Sequence, residues 1–382
     1  MMKTVISVDI LRREITGIPR YTYELLAALA ALLDGDDRLL LLNNSFRRGV
    51  VNQPRLPCLD NPRVQIKNLI VSRKLLQKVQ AATGLPRLEH LIGRFDVFHA
   101  TAHDELPLTR APLIMTIHDL SYLHPGYHTP EFTSYLDHYF RDAATRADHI
   151  VADSHATRRD VIERLGVPEN KVTTVHIAGH GRARVITGPD ALRGVCARHG
   201  LDCAFLLYVG TLEPRKNVAN LIRAYDAFRA GRANAPLLAL AGGKGWMYEQ
   251  IFAAAEASPF RDDIRFLGYV DDADLAPLMN AALGFVYPSL FEGFGLPVLE
   301  AMQCGAPVIT SNVSSLPEVA GDAALLVDPH SVDALAHAMG RLADDETLRR
   351  DLSRKGLEQA ATFSWERCAN ETLAVYRMAA GQ

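Results

Sequence analysis

The chain has 382 residues, 48% of them apolar and 22% charged, with a formal net charge of −3. Such a length suits two domains of ordinary size with ample core, and the composition is that of a globular protein. No global positive charge points to nucleic acid, and none is expected as a partner.

Short apolar runs alternate with helical patterns along the whole chain. The first, Thr4–Asp9, is too short for a signal-peptide core and reads as a buried strand. Further strands are predicted at Arg38–Leu42, Val64–Ile66, Val97–His99, Leu113–Ile117, His149–Ala152 and Val172–His176. A second series follows at Phe205–Val209, Leu237–Ala241, Ile264–Phe266, Gly284–Tyr287, Ala306–Ile309 and Ala324–Val327. Helices fit between them at Tyr21–Leu33, Pro130–Ala147, Ala156–Leu165, Val218–Arg229, Asp274–Ala282 and Val332–Ala343, and a last one runs from Ser364 to about Met378. This βαβ punctuation, read twice, predicts two parallel-sheet α/β units, 1–178 and 190–363. The break falls near 179–189, where Gly and basic residues cluster. No stretch approaches about 18 uninterrupted apolar residues, so no transmembrane helix is expected. Five scattered cysteines (Cys58, Cys196, Cys203, Cys304, Cys368) form no CxxC pair, which indicates neither a zinc site nor a disulfide framework. A reducing, cytoplasmic compartment is the simplest expectation.

The most informative stretch is Phe285 to Thr310. An apolar strand runs into a loop with Gly293 and Gly295. Pro297 opens a helix, and the carboxylates Glu292 and Glu300 bracket the loop. Glycines and a helix N-terminus let backbone N–H groups approach an anion, and fixed carboxylates grip hydroxyls. That combination suits a sugar nucleotide. The second unit also opens with Leu207-Tyr-Val-Gly-Thr-Leu-Glu-Pro-Arg-Lys-Asn217, which sets Arg215 and Lys216 just before a helix. Two such cations neutralise a diphosphate leaving group. Alone, the pair reads equally as a solvated loop, and Glu300 as a first-turn acid placed for dipole reasons.

The string Phe-Glu-Gly-Phe-Gly-Leu-Pro-x-x-Glu-Ala resembles the E-x7-E signature of retaining glycosyltransferases of family 4. That resemblance implies a GT-B fold: two Rossmann-like domains face a central cleft, and the C-terminal helix (364–382) crosses back to the first. It implies that Glu292 sits by the transferred sugar, that Glu300 accepts from the ribose, and that Gly293, Phe294, Gly295 and Leu296 offer backbone N–H groups. Arg215 and Lys216 match the family's diphosphate loop, although Thr211 stands where many members have Arg. Arg265-Phe-Leu-Gly-Tyr-Val270 is similar to the family's base-binding turn, with backbone of Tyr269 and Val270 at the base edge. An ordinary strand-to-helix turn capped by Asp272 or Asp274 is the competing reading. Asp272-Ala-Asp274 and Asp34-Gly-Asp36 have metal-binding spacing but follow turn chemistry, so no metal is expected.

The first unit is then expected to hold the acceptor. Thr16-Gly-Ile-Pro-Arg-Tyr21 resembles the family's glycine-rich first loop, with Gly17 retained and Pro19 in place of a glycine. His118, at a strand end that faces the ligand crevice, matches a family histidine placed by the reacting sugar. A satisfied core histidine is the alternative. His99, His103, Asp119 and Arg158 are weaker acceptor candidates; Arg158 reads equally as a salt-bridging residue, and Ser154 as an N-cap. Between 47 and 94, ten Lys/Arg stand against two acids, Asp60 and Glu89. Val71–Val79 within it reads as a basic amphipathic helix, suited either to anionic membrane or to plain solvation.

The whole pattern is most similar to bacterial mannosyl- and rhamnosyltransferases of surface polysaccharide assembly. It implies hexosyl transfer with retention from a nucleotide sugar, GDP-mannose as first choice, to a glycan or lipid-linked glycan. Glu292, His118, Arg215 and Lys216 are the expected catalytic residues, and Glu292→Ala is expected to leave folding little changed. The rivals are a nucleotide-sugar 2-epimerase of the same fold and a non-catalytic scaffold in glycan assembly. A nicotinamide enzyme is disfavoured because no G-x-G-x-x-G follows the first strand.

Overall fold

The computed structural model describes residues 2–12, 17–44, 56–69, 73–102 and 106–382. The first of its two units carries β1 (Lys3–Ser7), β2 (Arg38–Asn44), β3 (Val64–Leu69), β4 (Val97–Ala100), β5 (Leu113–Ile117), β6 (His149–Ala152) and β7 (Val172–Thr174). They form one parallel sheet in the order β3-β2-β1-β4-β5-β6-β7. The second carries β8 (Phe205–Val209), β9 (Leu237–Ala241), β10 (Ile264–Gly268), β11 (Gly284–Tyr287), β12 (Val308–Ser311) and β13 (Ala324–Val327). Their order is β10-β9-β8-β11-β12-β13, again all parallel. Strands covered by helices on both faces read as continuous apolar runs. Phe205-Leu-Leu-Tyr-Val209 is such a run, and its first four residues are buried.

Strand order reverses between β1 and β4 in the first sheet and between β8 and β11 in the second. Ligand crevices of open parallel sheets lie at the C-terminal strand ends beside such a switch. In the second unit the segments following β8 and β11 are 210–217 and 288–295, the two that carry Arg215, Lys216 and Glu292. In the first unit Thr101 follows β4, and His118 follows β5 one strand further along.

By its contacts the first unit comprises Met1–Leu120, Glu131–Ile177 and Ser364–Gln382, and the second Ser121–Pro130 and Ala178–Phe363. The C-terminal helix Trp365–Ala379 thus returns to the first unit, where it packs on the helix Ile18–Leu32. Ser364 caps it by accepting from the Arg367 N–H at 3.1 Å. Its buried face includes Cys368, Leu373 and Tyr376. All five cysteines are free.

Three features depart from the sequence reading. The break region runs directly into a helix, Pro189–Arg198, which buries little besides Val195 and Cys196. Helices Glu249–Ala257 and Glu346–Ala360 also escaped the reading, because their buried positions are mostly Ala and Gly rather than large apolar residues. β12 begins at Val308 rather than Ala306, since Pro307 has no N–H to donate; its carbonyl accepts from Phe285 at 2.8 Å. The basic helix appears as Arg73–Thr83, while the stretches 45–55 and 70–72 and the side chains of Arg73 and Lys74 lie outside the described residues.

Candidate active site

Close backbone packing shapes the end of β8. A Cβ on Gly242, at φ +153°, would meet the Gly210 carbonyl oxygen at 1.9 Å, so the loop after β9 closes on β8 only with glycine there. The chain then makes a short turn, Pro214–Lys216, and Asn217 adopts a left-handed conformation (φ 61°). The Asn217 side-chain amide donates to the Pro288 and Pro329 carbonyls at 3.1 and 2.7 Å. The Arg215 carbonyl accepts from Leu290 N–H at 2.8 Å, and Ser289 Oγ lies 3.1 Å from it. These bonds zip the turn after β8 onto the loop after β11.

The zip brings three of the expected residues together. Glu292 Oε1 accepts from Lys216 Nζ at 2.6 Å, Ser289 Oγ at 2.6 Å and Tyr287 Oη at 3.0 Å. Its Oε2 accepts from Arg215 Nη1 at 2.9 Å. Arg215 also donates to the Phe291 carbonyl at 2.8 Å and pairs with Glu213 at 2.9 Å. Glu213, Lys216 and Glu292 are all buried. Burial alone would raise the Glu292 carboxyl, but Arg215 and Lys216 hold it down at about 2. Burial and the neighbouring Arg215 lower the Lys216 ammonium. Burial raises Glu213 despite Arg215 and Lys216 beside it. The two cations expected to face a diphosphate freely are therefore already engaged by two carboxylates. Glu292, expected to grip sugar hydroxyls, has both oxygens bonded within this cluster.

The loop beyond Glu292 is held by serines that follow β12. Glu292 N–H donates to Ser314 Oγ at 2.8 Å, and the Ser315 hydroxyl shares its one proton between the Glu292 and Phe294 carbonyls, 2.9 and 2.7 Å away. Gly295, at φ +116°, caps the helix Leu296–Gln303, and a Cβ there would meet Leu316 at 2.9 Å. Gly293 and Phe294 are buried within the loop, and Glu300 is half-buried one turn into the helix. Tyr269 is 66% exposed after β10 while Val270 is buried. Asp271, rather than Asp272 or Asp274, occupies the N-cap position of the helix that follows, without a capping side-chain bond. Asp274 instead binds Arg198 and His199 at 2.7 and 2.9 Å. Asp34 accepts from the Gly35 N–H at 2.6 Å, as turn chemistry expects.

Segment 121–130, counted with the second unit, adds an aromatic strip that the sequence reading missed. Trp246 Nε1 donates to the Tyr127 carbonyl at 2.6 Å, and His128 stacks on Trp246 with centroids 5.3 Å apart. His124 stacks on Tyr127 and meets Phe291 at 4.5 Å, one residue from Glu292.

In the first unit, His118 Nδ1 lies 2.6 Å from Asp153 Oδ2 and Nε2 lies 2.8 Å from the Thr101 carbonyl. A carbonyl and a carboxylate only accept, so both ring nitrogens carry protons and the ring is an imidazolium. Burial opposes this charge, but Asp153 overcomes it and raises His118. Tyr21 meets the ring edge-on at 4.8 Å. Asp119 is half-buried beside it.

His99 corrects an expectation. It is wholly buried, bonded to Tyr376 Oη at 2.6 Å and Thr116 Oγ1 at 2.8 Å, and so lines no groove. Burial and the neighbouring His118 push it down to about 3, so it is neutral. Arg158 is likewise structural: it pairs with Glu169 at 2.8 Å and donates to the Val172 carbonyl at 3.0 Å, tying its helix to β7. Ser154 caps that helix, as expected, by accepting from the Thr157 N–H at 3.0 Å. Gly17 is exposed at φ +54° where the helix Ile18–Leu32 begins. Thr16 and His103 lie outside the described residues. The reading also missed a cavity at the C-terminal ends of β1–β3, lined by Asp9, Asn44 and Gln80 together with Leu42, Leu69 and Leu88.

The glycosyl transferases group 1 model matches residues 198–359, and the glycosyltransferase family 4 model matches 15–177. The O-antigen chain mannosyltransferase B of Escherichia coli is 34% identical, with 99% of this chain and 100% of that protein aligned. This chain belongs to the group 1 glycosyltransferases. The serotype-specific mannosyltransferase WbdA of Escherichia coli is 35% identical over 59% of this chain and 28% of its own length. Among solved structures, sucrose-phosphate synthase from Thermosynechococcus elongatus superposes with a TM-score of 0.75 at 20% identity, covering 99% of each chain. HepE of Anabaena, solved with UDP and glucose, gives 0.74 at 17% identity over 98% of this chain and 99% of its own. These likenesses agree in fold with the two parallel-sheet units, and the family assignment makes the chain a glycosyltransferase, of a group that uses nucleotide-sugar donors.

Proposed function

We propose that the protein transfers mannose from GDP-mannose, with retention, to a hydroxyl of a glycan or lipid-linked glycan in O-antigen-type polysaccharide synthesis. The observation that carries this reading is the full-length match to an O-antigen mannosyltransferase. Residues 190–363 bind the donor. In that role Arg215 and Lys216 balance the diphosphate as the glycosidic bond breaks, which removes the need for a metal ion. Backbone N–H groups of Gly293 to Leu296 meet phosphate and sugar, Glu300 accepts from the ribose, and Tyr269 and Val270 border the base. Glu292 fixes both cations, and the β-phosphate oxygen takes the acceptor proton in a front-face displacement.

Residues 1–178 with helix 364–382 bind the acceptor. Gly17 opens that side, the cavity lined by Asp9 and Asn44 offers the mixed surface a glycan needs, and Asp119 stands beside His118. His118 acts through its fixed positive charge, because both ring N–H groups are already committed. No helix among the described residues is long and apolar enough to cross a membrane. A cytoplasmic enzyme that touches anionic membrane through 47–94 fits the exposed Lys78 and Arg94 and the exposed apolar Ile66, Val79 and Leu85. Reversing Arg73, Lys74 and Lys78 to Glu is expected to reduce binding to phosphatidylglycerol vesicles; unchanged binding removes the membrane contact.

A thermal-shift panel of GDP, UDP, ADP, dTDP and their sugar conjugates tests the donor, since a ligand of the folded state raises Tm by mass action. Selective stabilisation by GDP and GDP-mannose supports it. Selective response to UDP conjugates replaces the donor, and no response to any nucleotide contradicts the reading.

A further inference from the structure

We propose that Glu213 belongs to the donor site and takes up a proton from solvent as the donor's diphosphate enters. The inference rests on the reading of the Arg215–Lys216 pocket as the donor site. It starts from a charge count. Four ionisable groups share this pocket, Glu213 and Glu292 against Arg215 and Lys216, so the ionised cluster is neutral. A sugar nucleotide brings two further negative charges. A neutral cluster holds them poorly, because each cation already serves a carboxylate. Protonating one carboxylate leaves the cluster with one positive charge and frees donor capacity on the arginine.

Geometry picks the carboxylate. Glu292 accepts from two cations and two hydroxyls, four bonds that favour its ionised form. Glu213 is also buried, but among the described residues its carboxylate is hydrogen-bonded by Arg215 only, at 2.9 Å through Nη2 and 3.1 Å through Nε, with the Lys216 charge nearby. Its packing supplies little else. Gly245, from the loop after β9, sits so close that a Cβ there would lie 3.4 Å from that of Glu213. Lys244 in the same loop is turned away over the rings of Tyr248 and Phe252, at 5.0 and 4.8 Å. Tyr208 and Tyr287 from β8 and β11 are held neutral by burial, their hydroxyls pushed well above the ordinary value. Tyr127, also raised by burial, senses Arg215. Burial already raises Glu213 in the free protein. The diphosphate raises it further, since like charge nearby disfavours ionisation. One proton moves from buffer to carboxylate, and no bond to the donor forms.

The sign of the linkage follows. Affinity is greatest at low pH, where Glu213 is already protonated, and falls as pH rises through its value in the free protein. A fully coupled proton changes affinity by up to about tenfold per pH unit. GDP-mannose and UDP-glucose are suitable probes, because their diphosphodiesters do not titrate near neutrality. Calorimetry in buffers of differing ionisation enthalpy is expected to show net proton uptake by the wild-type protein. Glu213→Gln is expected to abolish the uptake, flatten the pH profile and bind more tightly at alkaline pH. Should that variant misfold, infrared difference spectra of wild-type protein labelled with ¹³C-glutamate are expected to show a new protonated carboxyl band on donor addition. Binding without proton uptake overturns the proposal while the donor site stands. Uptake that survives in Glu213→Gln assigns the proton elsewhere, Lys216 first, and also overturns it. If neither sugar nucleotide binds, the donor-site reading fails and takes this inference with it.

Discussion

The strand-end clusters of the two units handle buried charge in opposite ways. In the second unit two cations and two carboxylates cancel, and every charge has a partner of opposite sign. In the first unit one imidazolium is held by a single carboxylate and one backbone carbonyl, Asp153 and Thr101. One strand away from His118, His99 is kept neutral by burial and by His118 itself, its ring bonded to a tyrosine and a threonine that can each donate or accept. The same residue type on adjacent parallel strands thus takes opposite charge, decided by whether its partners only accept. On the proposed reading the balanced cluster takes up a proton when the donor's diphosphate arrives, whereas the histidine pair already carries its charge.

Deleting a member of the balanced cluster separates the two most sharply. Glu292→Ala leaves the buried Lys216 without its carboxylate and Arg215 with Glu213 alone, which costs roughly 3–5 kcal/mol of stability and about a hundredfold or more in turnover. The structure here corrects the sequence-based expectation that folding would be little changed. Denaturant unfolding of Glu292→Ala checks it; wild-type stability would show that solvent reaches the cluster and that the charges need no partner.

Asp153→Asn is next in size. It removes the negative charge that keeps His118 protonated, so the alkaline limb of the turnover profile is expected to shift to lower pH by about one unit or more. A raised histidine contributes to function and stability below its ordinary value and loses that contribution as pH rises through the folded value. Nitrogen NMR of His118 reads the second proton directly, and a neutral ring at pH 7 in the wild type would break the comparison.

Acid stability gives a third contrast. Glu292 falls from an ordinary 4.5 to about 2, so its share of stability is complete above 4.5 and is lost as pH falls towards 2. Wild-type Tm is expected to drop faster than that of Glu292→Gln across that window; parallel curves would contradict it. The smallest effect is at the neutral histidine. Tyr376→Phe removes one bond to His99 and is expected to cost about 1 kcal/mol with turnover unchanged. Lost turnover would give His99 a functional part after all.

Both sheets were legible in the sequence because buried parallel strands are unbroken apolar runs, as in Phe205–Val209 and Leu113–Ile117. The Ala-rich and charged helices were not, since small residues bury without leaving an apolar stripe. The glycine loop, Arg215, Lys216 and Glu292 were legible as a motif. Their partners were not. Ser289 and Tyr287 are unremarkable residue types until the fold sets them beside Glu292, and Ser314 and Ser315 approach from 22 and 23 residues away. Glu213 lay within a string already singled out, and Asp153 directly precedes the N-cap candidate Ser154. What each carboxylate faces is a tertiary fact: Asp153 meets a histidine 35 residues earlier, across neighbouring strands.

The central claim is that the cluster after β8 and β11 holds the donor's diphosphate. Calorimetric titration of GDP-mannose into wild type and Lys216→Ala tests it most directly, with circular dichroism to confirm that the variant is folded. Loss of one charge-assisted bond predicts binding weaker by at least about tenfold. Equal affinity in the two proteins would contradict the account.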